Sequence, residues 1–116
     1  MAMVLLLTAA VALGGYLLVL WFRDARRPVL IGVHLLLGLG GVESLAVFLH
    51  QNDLADDPSV RRLALVALGL FGAAAFLGFT APLSGKNYRV GNSLLAAHVG
   101  SGVVGFLIFL TFFSRL

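Results

Sequence analysis

Four apolar stretches, at about Met3 to Phe22, Val29 to Leu49, Leu63 to Leu83 and Ser93 to Phe113, take up nearly all of a 116-residue chain. Each is close to the ~20 residues that a helix needs to cross the hydrocarbon of a bilayer. Inside lipid every backbone N–H and C=O must be satisfied internally, which leaves helices and closed barrels as the only spanning structures. A barrel needs strands of about 10 residues with in-out alternation, and these stretches are longer and do not alternate. The expected fold is therefore an all-α membrane protein: one domain, residues 1–116, of four transmembrane helices in a bundle. The composition agrees, with 60% hydrophobic and only 11% charged residues.

Residues 1–21 lack the basic n-region of a signal peptide, and their apolar run of about 20 residues is too long for an h-region. They read as a retained first helix. The chain has no cysteine, which removes disulfides, thiolate metal sites and iron-sulfur clusters. The net charge of +3 is spread over short loops, so nucleic-acid binding is not expected.

The loops set an orientation. RDARRP carries Arg23, Arg26 and Arg27, and SGKNYRVGN carries Lys86 and Arg89. On the other side, Arg61, Arg62 and Arg115 stand against Asp53, Asp56 and Asp57. The positive-inside rule then places the first and third loops in the cytoplasm and both termini outside, with the bacterial inner membrane as the expected location. Pro28 suits the first turn of the second helix, and Asp57-Pro58 reads as an N-cap and first helical position for the third. Pro82 closes the third helix, and Asn92 or Ser93 is the expected cap of the fourth.

One phrase is written twice. HLLLGLGG at His34 to Gly41 and HVGSGVVG at His98 to Gly105 both read His-x-x-x-Gly-x-x-Gly. Alignment pairs Leu30 with Leu94, His34 with His98, Gly38 with Gly102, Gly41 with Gly105, and Phe48 with Phe112. The histidine match is the costly one, because the chain has only three. The first and third helices share less, chiefly a glycine-containing middle (ALGGYLL against LFGAAAFL). The expected organisation is two parallel helix-hairpin repeats, about residues 1–50 and 59–116, related by a pseudo-twofold axis along the membrane normal. The two histidines then lie at one depth, roughly 9 Å below the basic loops at 1.5 Å per residue.

At about 100° per residue, His34, Gly38, Gly41, Leu45 and Phe48 share one stripe of the second helix, as do His98, Gly102, Gly105, Phe109 and Phe112 on the fourth. Two such faces would leave a slot with an imidazole entering from each side. A b-type haem takes two imidazoles on opposite faces of its iron, glycines give a macrocycle room, and cations at the rim suit its propionates. Arg26, Arg27, Lys86 and Arg89 are the candidate partners there. In this arrangement the chain resembles the four-helix b-type membrane cytochromes, such as the haem-bearing anchors of respiratory dehydrogenases. The resemblance covers the bundle and the paired His-x-x-x-Gly-x-x-Gly stretches. It implies that His34 and His98 are the axial ligands of one haem b, with Gly38, Gly41, Gly102 and Gly105 beside it. Two-haem members carry a second ligand about four turns along each helix, where this fourth helix offers Phe112, so one haem is expected.

The same residues admit a plainer reading. Glycines at these spacings also let membrane helices pack closely, and a buried histidine also serves as a hydrogen bond across a bundle. Glu43 falls on the opposite side of the second helix near mid-bilayer, with His50 seven residues on. A charged carboxyl there costs about 2.5 to 3.5 kcal/mol on insertion scales. Glu43 and His50 are candidates for a proton or quinone site, or for a plain helix contact and an interfacial residue respectively. Asp53, Asp56 and Asp57 lack calcium-ligand spacing and read as a solvated loop.

The leading functional expectation is a membrane electron carrier, with haem b and a quinone as cofactors, lipid around it, and other membrane subunits of a respiratory or photosynthetic complex as partners. A haem-free accessory subunit is the alternative. The chain also resembles small multidrug transporters in length and span count, but their essential glutamate lies in the first helix and Glu43 is in the second. No hydrolase or transferase signature and no phosphate-binding loop is present.

Overall fold

The structure is a computed structural model and describes residues 2–54, 56–84 and 87–116. It is helical throughout, with α1 at Ala2–Phe22, α2 at Pro28–Gln51, α3 at Pro58–Thr80 and α4 at Tyr88–Ser114. A 3₁₀ turn, Ala81–Ser84, follows α3, and there is no strand among the described residues. All four helices are long and apolar enough to cross a membrane. Many of their large apolar side chains are left outside: Phe22 and Val29 are each 78% exposed, Leu5 73% and Leu36 70%. A surface of that kind belongs against hydrocarbon.

The helix ends follow from local chemistry. At the end of α1, Asp24 adopts a left-handed backbone with φ 52°. Its N–H bonds the carbonyl of Trp21, and the Ala25 N–H bonds that of Leu20, which is the double closure of a Schellman motif. Arg26 then lays its guanidinium over the Trp21 ring, 4.5 Å from the centroid, a cation-π contact that folds the turn back on the helix it leaves. Pro28 is the first residue of α2, where its missing N–H costs nothing.

Asp57 caps α3, accepting from the Val60 N–H at 3.2 Å, with Pro58 at the first helical position. The α3 helix stops at Thr80, and Pro82 sits in the 3₁₀ turn that follows. The start of α4 differs from the sequence expectation. Its cap is Asn87, whose side chain accepts from the Val90 N–H. Asn92 lies inside the helix, and the Ser93 hydroxyl donates to the Arg89 carbonyl there. Helix formation thus outruns the apolar stretch, because the Tyr88-Arg89 turn is stable at an interface once capped.

The chain divides into two compact units, Met1–Phe48 and Leu49–Leu116. In the first, α1 and α2 form an antiparallel hairpin with Met3, Leu7, Ala10, Gly41 and Leu45 buried. In the second, α3 and α4 form another, with Ala67, Phe71, Ala74, Gly105 and Phe109 buried. Phe109 is wholly buried, and Phe71 meets it edge-on, with ring centroids 6.3 Å apart. Small residues at the contact let the backbones approach, and the larger ones fill what remains.

Candidate functional site

Each histidine is held inside its own hairpin by the same device. Nδ1 of His34 donates to the carbonyl oxygen of Ala10 at 2.9 Å, across 24 residues of sequence. Nδ1 of His98 donates to the carbonyl oxygen of Ala74, also 24 residues away. The helices that supply those carbonyls also supply a glycine on which each ring rests. A Cβ on Gly14 would lie 2.9 Å from Cε1 of His34, and one on Gly78 would lie 2.6 Å from Cε1 of His98.

The glycines after each histidine divide into two kinds. Gly41 and Gly105 are filled from within their hairpins: a Cβ at Gly41 would meet Leu7 Cδ2 at 2.7 Å, and one at Gly105 would meet Leu70 Cβ at 3.1 Å and the Phe71 ring at 3.3 Å. Gly38 has open space above it, and Gly102 has only Ala74 Cβ at 3.9 Å. Of the four glycines expected beside a macrocycle, two therefore pack a helix of their own hairpin.

These contacts recur at one spacing. Leu7 and Phe71, Ala10 and Ala74, Gly14 and Gly78, His34 and His98, and Gly41 and Gly105 each stand 64 positions apart and play matching parts in their own units. Matching the glycines of ALGGYLL and LFGAAAFL sets Gly14 against Gly72, but Gly72 has nothing within 4 Å. The contacts set Gly14 against Gly78 instead. Ala-x-x-Leu-Gly, at residues 10–14 and 74–78, is the correspondence that sequence comparison missed.

The basic residues lie at unequal distances along the helices. Arg27 precedes His34 by seven residues, about 10 Å of helix, and Arg89 precedes His98 by nine, about 14 Å. Arg26, Arg27 and Arg89 are exposed, Arg26 being held against Trp21. Lys86 lies outside the described residues. Glu43 and His50 are both exposed on α2, and the neighbouring Ser44 hydroxyl satisfies itself on the Gly40 carbonyl at 2.7 Å. Asp57 is occupied as a cap. Among the described residues, no cluster of three or more His, Asp or Glu side chains could hold a metal ion alone.

No protein-family model matches the chain, and neither the curated proteins nor the solved structures compared with it give a match.

Proposed function

We propose that the chain is a small membrane electron-transfer protein that binds one b-type haem through His34 and His98, as a subunit of a respiratory or photosynthetic complex in a bacterial inner membrane. The observation that carries this reading is the shared setting of the two imidazoles, each donating Nδ1–H to a backbone carbonyl. Histidines that ligate metals characteristically donate their other ring N–H in this way, which fixes the ring and raises its basicity. Two such imidazoles are a donor set that holds a haem iron low-spin.

The matched contacts support a further part of the reading, that the hairpins are repeats of one unit, and the basic residues of the first and third loops assign those loops to the cytoplasmic side. Gly38 and Gly102, with little above them, are the glycines suited to a macrocycle. Arg26, Arg27, Lys86 and Arg89 are assigned to the propionates, and Glu43 and His50 to proton exchange with a quinone. A bound haem supplies reversible one-electron chemistry. The chain supplies ligation, an apolar surrounding, and charge at the rim.

The test is the visible spectrum of the purified protein in mild detergent, oxidised and dithionite-reduced, for the wild type and for His34→Ala and His98→Ala. Sharp low-spin bands lost in either variant are expected. Folded wild-type protein that was expressed with ample haem and shows no band would overturn the proposal.

One observation favours a second reading. Gly41 and Gly105 are used for packing within their hairpins, as in a haem-free accessory subunit whose histidines only fasten helix to helix. The same spectra separate the two.

A further inference from the structure

Ala10 and Gly14 are four residues apart, as are Ala74 and Gly78. In an α-helix the N–H of residue i bonds the carbonyl of residue i−4, so each alanine carbonyl already accepts from the glycine above it. A carbonyl oxygen has a second lone pair, and the histidine uses that one. Whether it can be reached depends on the residue four positions later. The Cα–Cβ bond tilts toward the helix N-terminus, so a side chain at i+4 lies over the carbonyl of residue i. Only glycine leaves that oxygen uncovered while a ring lies flat against the helix.

We propose that Gly14 and Gly78 are positioning residues for the two histidines, and that they determine which ring nitrogen is available for ligation. A carbonyl only accepts, so the nitrogen facing it carries the proton; a neutral imidazole donating from Nδ1 holds its lone pair on Nε2. The seat therefore makes Nε2 the ligating nitrogen in both histidines and sets the rotation of both rings. The ligation half of this proposal rests on the haem reading, whereas the seat does not. The requirement is local: at Gly15, one residue along, a Cβ would meet nothing within 4 Å. A second glycine, in the other unit, repeats it in full, with Cβ positions 2.7 Å from Nδ1 and 3.3 Å from Nε2 of His98.

The test uses the full chain in detergent micelles, labelled with ¹⁵N-histidine and free of haem. Expected are Nδ1–H tautomers at His34 and His98 in the wild type. Gly14→Ala should shift the imidazole signals of His34 and leave those of His98; Gly78→Ala should do the reverse; Gly15→Ala should move neither. Nε2–H tautomers in the wild type, or a Gly14→Ala protein with unchanged His34 signals, would overturn the seat. Because the wild-type tautomer decides by itself, a variant that fails to fold does not rescue the idea. In haem-loaded protein, Gly14→Ala should raise the reduction potential while keeping the low-spin bands, since the ligand loses a hydrogen bond that strengthens its donation. An unchanged potential would overturn the ligation half. A wild type that takes up no haem would remove that half together with the haem reading, and the tautomers would still judge the seat.

Discussion

Leu7 occupies the space that a side chain on Gly41 would need: a Cβ there would stand 2.7 Å from its Cδ2, 2.8 Å from its Cγ and 3.3 Å from its backbone nitrogen. The first two atoms can swing away, but the third belongs to the helix. Gly41→Ala should therefore push α1 from α2 and destabilise the hairpin by about 1 to 3 kcal/mol, the usual range for overpacking. Gly38→Ala, with open space above it, should be neutral or stabilising by up to about 1 kcal/mol through helix propensity. Thermal unfolding of both variants in one detergent checks the contrast. Equal losses would show that Gly41 has no special contact.

Phe109 carries the centre of the second hairpin. It is wholly buried and has aromatic neighbours in Phe71, Phe106, Phe112 and Phe113, all with centroids between 6.1 and 6.4 Å. Phe109→Ala should cost about 3 to 5 kcal/mol, by analogy with large-to-small changes in soluble cores. Phe109→Leu should cost clearly less. Reversible unfolding in mixed micelles gives both numbers.

Asp24 is the one non-glycine residue with positive φ among those described, at the position where a Schellman closure favours glycine. Asp24→Gly should relieve the left-handed strain and raise stability by a few tenths to about 1 kcal/mol, the gain being trimmed by the greater freedom of the unfolded chain. Asp24→Val, β-branched at the same φ, should lower it. The unfolding midpoints of the two variants, on either side of the wild type, are the measurement.

The cap of α3 offers a fourth test. Asp57→Ala leaves the Val60 N–H without its side-chain acceptor and should cost about 1 kcal/mol, whereas Asp57→Asn should retain most of the bond. Amide exchange at Val60 should quicken in the alanine variant and stay near wild type in the asparagine one. Quickening in neither would mean that the cap is not made in solution.

Hydropathy made the four helices legible, since a run of apolar residues near the bilayer thickness has few other uses. It placed their ends less well. The α3 helix begins five residues before Leu63, and α4 five before Ser93, because Arg61, Arg62 and Arg89 end the apolar count while their capped turns remain helical. His34 and His98 were visible as rare residues in a repeated phrase. Their acceptors were not, because Ala10 and Ala74 take part through backbone oxygen, which leaves no mark on the side-chain pattern. Gly14 and Gly78 were hidden for another reason: in a chain with 14 glycines, only the contact tells which two are needed.

The bond from His34 to Ala10 has one more consequence. Packing of Leu7 into the notch at Gly41 favours one height, but apolar attraction is non-directional, and a slide by one turn, about 5.4 Å, exchanges one set of apolar contacts for another. A hydrogen bond to one particular oxygen does not permit that exchange. The imidazole acts as a detent, seated at a single notch along its partner helix, and each hairpin contains one. The glycine notch and the bond together give two greasy rods a fixed register.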